Sequence, residues 1–185
     1  MPSRWPAVIV ALAVVVLVGS CGSDGTSTSP AVTTAEVADS IPETLTGTQI
    51  CERLKVATVG ADLGLDVAVA TPNDAGTPQC TYEYVVSEGV TSTLTVTAVR
   101  AEDAGGLTGS DAFDEVVGVN RSTAGDGVDE QTINAGDHAV RLTGSIFHIG
   151  VLDVNDRIYT VAVPVDDAEP DGIDRLVASM ATTLS

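Results

Sequence analysis

Few side chains in this sequence could do chemistry on their own. Three cysteines, two histidines and 26 carboxylates stand among 185 residues. The carboxylates are too numerous and too scattered for any pair to be singled out as general acid and base. His138 and His148 have no His, Cys or Glu partner at metal-ligand spacing, so each reads as a structural or surface histidine and no metal is expected. Asp126-Gly127-Val128-Asp129-Glu130 and Asp153-Val154-Asn155-Asp156-Arg157 look at first like calcium loops. Neither keeps the alternating acidic order ending in glycine, and Arg157 takes a ligand position. A Gly-x-Ser-x-Gly elbow, a phosphate loop and a His-Glu-x-x-His pair are all missing. No catalytic residue and no cofactor is assigned.

The cysteines are more informative. Cys21 closes the box Val18-Gly19-Ser20-Cys21, a branched apolar residue and two small ones before the cysteine. That order is the recognition box for lipoprotein processing, with Cys21 as the residue that takes the lipid. The segment before it supports the reading. Arg4 gives a short positive start, and Ala7 to Val18 is an unbroken apolar run of twelve residues. A bilayer-spanning helix needs about 20 residues, so this run fits a signal peptide better than a permanent anchor. The expected divisions are a signal peptide over 1–20, a lipid-bearing cysteine and tether over 21–46, and one extracytoplasmic domain over 47–185. The tether is rich in Ser, Thr, Gly, Ala and Pro and lacks apolar periodicity. As a flexible coil it would span roughly 25–30 Å. Assigning Cys21 to the lipid leaves Cys51 and Cys80, and two cysteines in an oxidising compartment most simply form one disulfide.

Charge narrows the partners. Lys and Arg total 8 against 26 Asp and Glu, a formal charge of −18, and processing would remove Arg4 and no acid. So acidic a chain is not expected to bind nucleic acid, nor to lie on anionic headgroups. Its contact with the membrane would be through the lipid on Cys21. Aromatics make up 3% of the chain and its single Trp, Trp5, falls in the leader. The core must therefore come from Val, Leu, Ile and Ala. The tether leaves about 140 residues, the usual size of one domain around one core.

The elements that must position these groups follow from periodicity and turn residues. Thr46-Gly47-Thr48-Gln49 resembles a capping box, opening a helix with Ile50, Leu54 and Ala57 on one face and Gly64 as its stop. Strands are expected at Leu65 to Ala70, Cys80 to Val86 and Thr91 to Val99. In the last, Leu94, Val96 and Ala98 face in and Thr91, Thr93, Thr95 and Thr97 face out. A two-residue loop between the last two strands would put their apolar sets on opposite faces. A three-residue loop, Glu88-Gly89-Val90, with Gly89 left-handed, pairs Tyr84 with Leu94 and Tyr82 with Val96. Ser110 can cap a short helix burying Phe113, Val116 and Val117 and ending at Gly118. Asn120 to Gly136 reads as a surface loop. His138 to Leu142, Ile146 to Val154 and Arg157 to Val165 read as strands. The last two are joined by Asn155-Asp156, which pairs Leu152 with Tyr159 and Gly150 with Val161. Ile173, Leu176, Val177, Met180, Ala181 and Leu184 give the closing helix its apolar stripe. The fold class is α+β, an antiparallel sheet with helices on one face, in the order α-βββ-α-βββ-α. The repeated strand-strand-strand-helix order suggests an internal duplication.

The last hairpin is apolar on both sides. Besides its inward set it carries Phe147, Ile149 and Val151 against Ile158, Thr160 and Ala162. A sheet with one solvated face should alternate more cleanly. Either the hairpin is central and covered, or Phe147, Ile149, Val151 and Ile158 form an apolar surface for a lipid-like ligand or a partner.

The box ending at Cys21, the Ser/Thr-rich tether, Cys51-Glu52-Arg53-Leu54, Leu63-Gly64-Leu65, Cys80-Thr81-Tyr82 and Gly136-Asp137-His138-Ala139 together resemble the small envelope lipoproteins of actinobacteria, the mycobacterial Lpq/Lpp-type among them. The likeness covers most of the chain after Cys21. It implies the outer face of the cell membrane, a Cys51–Cys80 disulfide and an α+β fold, and carries over no catalytic residue. The expectation is a non-enzymatic binding or accessory module for an apolar ligand or an envelope protein. The rivals are an envelope enzyme with a carboxylate site in a cleft, and a purely structural interaction protein.

Overall fold

The structure, a computed structural model, describes residues 44–100 and 103–185. The box Val18-Gly19-Ser20-Cys21 and the signal peptide lie outside the described residues, as does nearly all of the tether. Helix α1 (Gly47–Arg53) opens at Thr46 with the reciprocal cap its sequence suggests. The Thr46 hydroxyl accepts from the Gln49 amide at 3.1 Å, and the Gln49 side chain accepts from the Thr46 amide at 2.9 Å. One helix was expected to Gly64, but the chain breaks at Leu54 and Lys55, both extended, before α2 (Val56–Leu63) begins. The buried Tyr82 hydroxyl donates to the Leu54 carbonyl at 2.7 Å, taking an acceptor that a continuous helix would use. Gly64, at φ 72°, closes α2 in the left-handed conformation that glycine adopts without penalty.

Strands β1 (Asp66–Asn73), β2 (Gln79–Ser87) and β3 (Val90–Val99) form an antiparallel meander. The β2–β3 register corrects the expected one. Tyr82 pairs with Leu94 and Tyr84 with Ser92, two residues from the predicted partners. The loop is the two-residue Glu88-Gly89, with Gly89 left-handed as expected. An irregularity between Val85 and Ser87 then absorbs one residue and returns Tyr82, Tyr84, Leu94 and Val96 to the same face. A two-residue slip preserves facing, which is why the apolar sides were right and the pairs wrong.

Helix α3 (Gly109–Ala124) runs past its predicted stop at Gly118. One interior glycine costs about 1 kcal/mol, and Phe113, Val116, Val117 and Ala124, buried on either side of it, outweigh that. The expected surface loop therefore shrinks, and part of it becomes β4 (Asp129–Thr132), an exposed edge strand with no apolar alternation to reveal it. Strands β5 (His138–Thr143), β6 (Phe147–Val154) and β7 (Arg157–Pro164) follow. Asn155 and Asp156 take φ 54° and 57°, and Leu152 pairs with Tyr159 and Gly150 with Val161, as predicted. Helix α4 (Pro170–Thr183) closes the chain, burying Ile173, Leu176, Val177 and Met180.

All seven strands form one antiparallel sheet in the order β1-β2-β3-β7-β6-β5-β4, two meanders joined where β3 meets β7. The fold is α+β. Helices α1, α2 and α4 pack on one face, over Tyr82, Tyr84, Leu94, Val96, Leu152, Tyr159 and Val161. Helix α3 packs on the other, over Val140, Leu142, Ile149, Val151 and Ile158. The one-face expectation is corrected accordingly: β6 and β7 are apolar on both sides, so both need cover. The suggested duplication stops at the strands, since the second set has four and the helices after the two sets lie on opposite faces.

In a core poor in aromatics, three buried tyrosines hold the layers together. Tyr82 reaches the α1–α2 junction, Tyr84 donates to Asp167 at 2.5 Å, and Tyr159 donates to the Leu184 carbonyl at 3.4 Å. Burial pushes the Tyr84 and Tyr159 hydroxyls up to about 12, so they act as neutral donors. Among the described residues no helix is long and apolar enough to cross a membrane.

Candidate functional site

Cys51 and Cys80 form the expected disulfide, with their Cα atoms 5.4 Å apart. It fastens α1 to β2 on the three-helix face. The four residues named as an apolar surface do not form an open one. Ile149 and Val151 have no exposure, Ile158 has 8%, and all three, with half-buried Phe147 beside them, pack under α3. The covered reading of the apolar hairpin is the one the structure adopts.

The opening lies beside them. Helix α3 covers β5 and β6, and among the described residues no helix packs on the β1–β3 half of that face, where the outward threonines of β3 stand. Thr97 pairs with Thr160 and Val99 with Ile158, which brings β3 and β7 side by side at the edge of the helix. On α3, Val116, Val119 and Asn120 are three and four residues apart and share one flank. Between them runs a groove of about 280 Å³, floored by Thr97, Val99 and Thr160, walled by Val116, Val119 and Asn120, and ended by Thr77 and Asp103.

Its chemistry is divided. Val99, Val116 and Val119 make it apolar along its length, and Val119 is 55% exposed. Asp103 makes one end polar. Arg100 binds that carboxylate through Nε at 3.0 Å and a second guanidinium nitrogen at 3.2 Å, and the Thr77 hydroxyl donates to it at 3.3 Å. The Arg100 hydrogen bond holds the Asp103 carboxyl below the usual carboxylate range, so this end carries an ion pair. The Asn120 amide nitrogen is spent on the Val116 carbonyl at 2.9 Å.

Among its described lining residues the groove has one carboxylate, Asp103, and no histidine or cysteine. Among the described residues no three metal-ligating side chains converge. Burial, helped by Asp137 and Asp156, raises the Asp153 carboxyl, but Asp153 is 4% exposed and does not line the groove. Two neighbouring depressions near Gly64 share Asp166 and Asp167 and offer mainly carboxylates. His138 leans on Phe113 with ring centroids 5.7 Å apart, a packing contact.

His148 is buried, its Nδ1 3.1 Å from the Thr143 hydroxyl. Burial first, then the charge of Arg141, lowers its pKa, against an opposing pull from Glu169. The unfolded chain therefore binds the proton more readily than the folded one. Stability from this group is present above about pH 6.5 and is lost as pH falls through that value. Melting temperature should drop between pH 7.5 and 5.5, and less so in His148→Gln. Identical pH profiles for the two proteins would refute this assignment.

Comparison with protein-family models, with curated proteins and with solved structures finds no match. The groove rests on its own geometry. Sequence reasoning did find part of it, the outward threonines of β3 and the inward Val116. It missed Val119 and Asn120 because α3 was expected to end at Gly118.

Proposed function

We propose that this protein is a lipoprotein anchored by Cys21 to the outer face of the cell membrane, where it serves as a non-enzymatic binding module for a small apolar or lipid-like ligand. The observation that carries the ligand reading is the valine-walled groove between α3 and the β3–β7 floor. Pockets for small molecules are mostly apolar with a few placed polar groups, and this groove has that composition. The box at Cys21 supports the anchor, and the Ser/Thr-rich stretch after it supports a domain held away from the headgroups.

Two results are expected. Metabolic labelling with a fatty-acid analogue should mark the wild-type protein and fail on Cys21→Ala, and undiminished label on the variant would sink the anchor. Lipid extracted from the parent envelope should raise the melting temperature by roughly 10 °C, as a ligand near 100 times its Kd contributes about 2.7 kcal/mol. Val119→Arg puts a charge in the groove at an exposed position, so it should fold normally and lose that response. A response that survives Val119→Arg would place the ligand elsewhere.

A further inference from the structure

The first meander has two unlike ends. Strand β3 runs from Val90, at the β2–β3 turn, to Val99 on the groove floor, and the β1–β2 turn supplies Thr77 to the groove's end. Helix α1 starts at that same end. A Cβ on Gly47 would meet the carbonyls of Asn73 and Gln79, and the Thr48 hydroxyl donates to Asp74 at 2.8 Å. From Thr97 back to Thr91 is about 20 Å of strand, so the Glu88-Gly89 end stands well clear of the groove.

Apolar side chains are exposed at this far end. Val69, Val85, Val86 and Val90 are 48%, 40%, 47% and 52% exposed, and only Leu107, Val119 and Ile146 match them elsewhere among the described residues. Val69 pairs with Glu83, and Val85 with both Asp66 and Thr91, so the two valines are diagonal neighbours on one face. Such neighbours lie roughly 7–8 Å apart. Their face is the one opposite Tyr82 and Tyr84, and among the described residues no helix packs on this half of it. Carboxylates surround them. Asp66 and Glu83 share the face, and Glu88 forms the turn. The depression lined by Val85 and Val86 holds Asp66, Asp166 and Asp167 and no Lys or Arg. Asp167 is engaged by the Tyr84 hydroxyl.

These neighbours narrow the occupant. A second copy brings the same formal charge of −18 to a face already acidic. Insertion into a membrane would bury carboxylates with nothing to pair them. Strand addition is blunted, because the edge strand β1 is irregular between Val67 and Val69 and carries Pro72, which has no amide to donate. A helix is roughly 10 Å across and spans two strands ~4.8 Å apart, and α3 already lies on the other half of this face.

We infer that the Val69–Val85 end of the meander docks a basic amphipathic helix of another protein. Apolar residues three and four apart on that helix cover the two valines, and its lysines or arginines pair with Asp66, Glu83 and Glu88. The surface is separate from the groove, and neither occupant excludes the other.

Titration of the full-length protein with two synthetic peptides of equal length and charge tests this. One has lysine and leucine at helical spacing, and the other has glutamine for every leucine. The leucine peptide should bind at least tenfold more tightly. Val69→Thr/Val85→Thr keeps the branched shape and should remove that advantage without moving the melting temperature. Asp66→Asn/Glu83→Gln should weaken both peptides severalfold. Asp114→Asn/Glu115→Gln removes the same charge from the exposed side of α3 and should leave both within about twofold of wild type. Equal binding of the two peptides would reduce the attraction to charge and overturn the docking surface. An advantage that survives the threonine pair, or equal losses in the two charge pairs, would overturn it as well. Binding of Cys21→Ala to phosphatidylcholine vesicles, abolished by the same threonine pair, would give the surface to lipid and overturn the protein partner.

Discussion

Removing the Cys51–Cys80 bond is expected to lower the unfolding free energy by about 3–4 kcal/mol. The bond joins residues 29 apart in sequence, and closing a loop of that length restricts the unfolded chain far more than the folded one. For a domain whose whole stability is of order 5–15 kcal/mol, the loss is a large fraction. Denaturant unfolding with and without reductant would measure it. Cys51→Ala/Cys80→Ala should lose at least as much, because Cys80 is fully buried and its replacement also leaves a small void. A loss under about 1 kcal/mol would mean that the unfolded chain is already compact around these residues. The bond lies on the face opposite α3, so the ligand binding proposed for the groove should survive reduction at temperatures where the domain remains folded.

The second large effect is at Arg141. This side chain is 7% exposed on β5, bonded to Asp174 on α4 at 2.5 Å and to Gln131 on β4. It stitches the edge strand and the closing helix to the sheet. Removing one partner of a buried ion pair costs about 3–5 kcal/mol because the other charge is left uncompensated. The Asp174 side chain is 28% exposed and can recover part of its hydration, so Arg141→Ala should cost about 2–3 kcal/mol. Arg141→Met/Asp174→Leu should regain much of that loss, since a packed apolar pair can match a buried ionic one. A double variant no better than Arg141→Ala would show that the loss comes neither from the stranded Asp174 charge nor from packing of the stem, but from the hydrogen bond to Gln131.

How far the sequence reaches depends on what signals each element. Local chemistry was legible: the Thr46 cap, the left-handed Gly64 and Gly89, the Asn155-Asp156 turn and the stripe of α4 all act through near neighbours in the chain. Long-range events were not. The break at Leu54 depends on Tyr82, 28 residues away, and nothing in the helical pattern announces it. Strand β4 has four exposed residues and is held by pairing with β5, so hydrophobic periodicity cannot see it. The apolar second face of the last hairpin was visible, and so were its two meanings. The face on which α3 packs decides between them, and the expectation of helices on one face alone concealed it. The groove is a consequence of the same helix: it covers one half of the sheet face and leaves its flank of Val116, Val119 and Asn120 against the bare threonine half.

The ligand site proposed for the groove is tested most directly by native mass spectrometry of the protein purified from its own membrane. The expected result is a bound species that is apolar, of a single mass class, displaced by activation in the gas phase and missing from Val119→Arg. A wild-type protein that flies empty under conditions that retain non-covalent lipid, or an adduct unchanged in Val119→Arg, would contradict it.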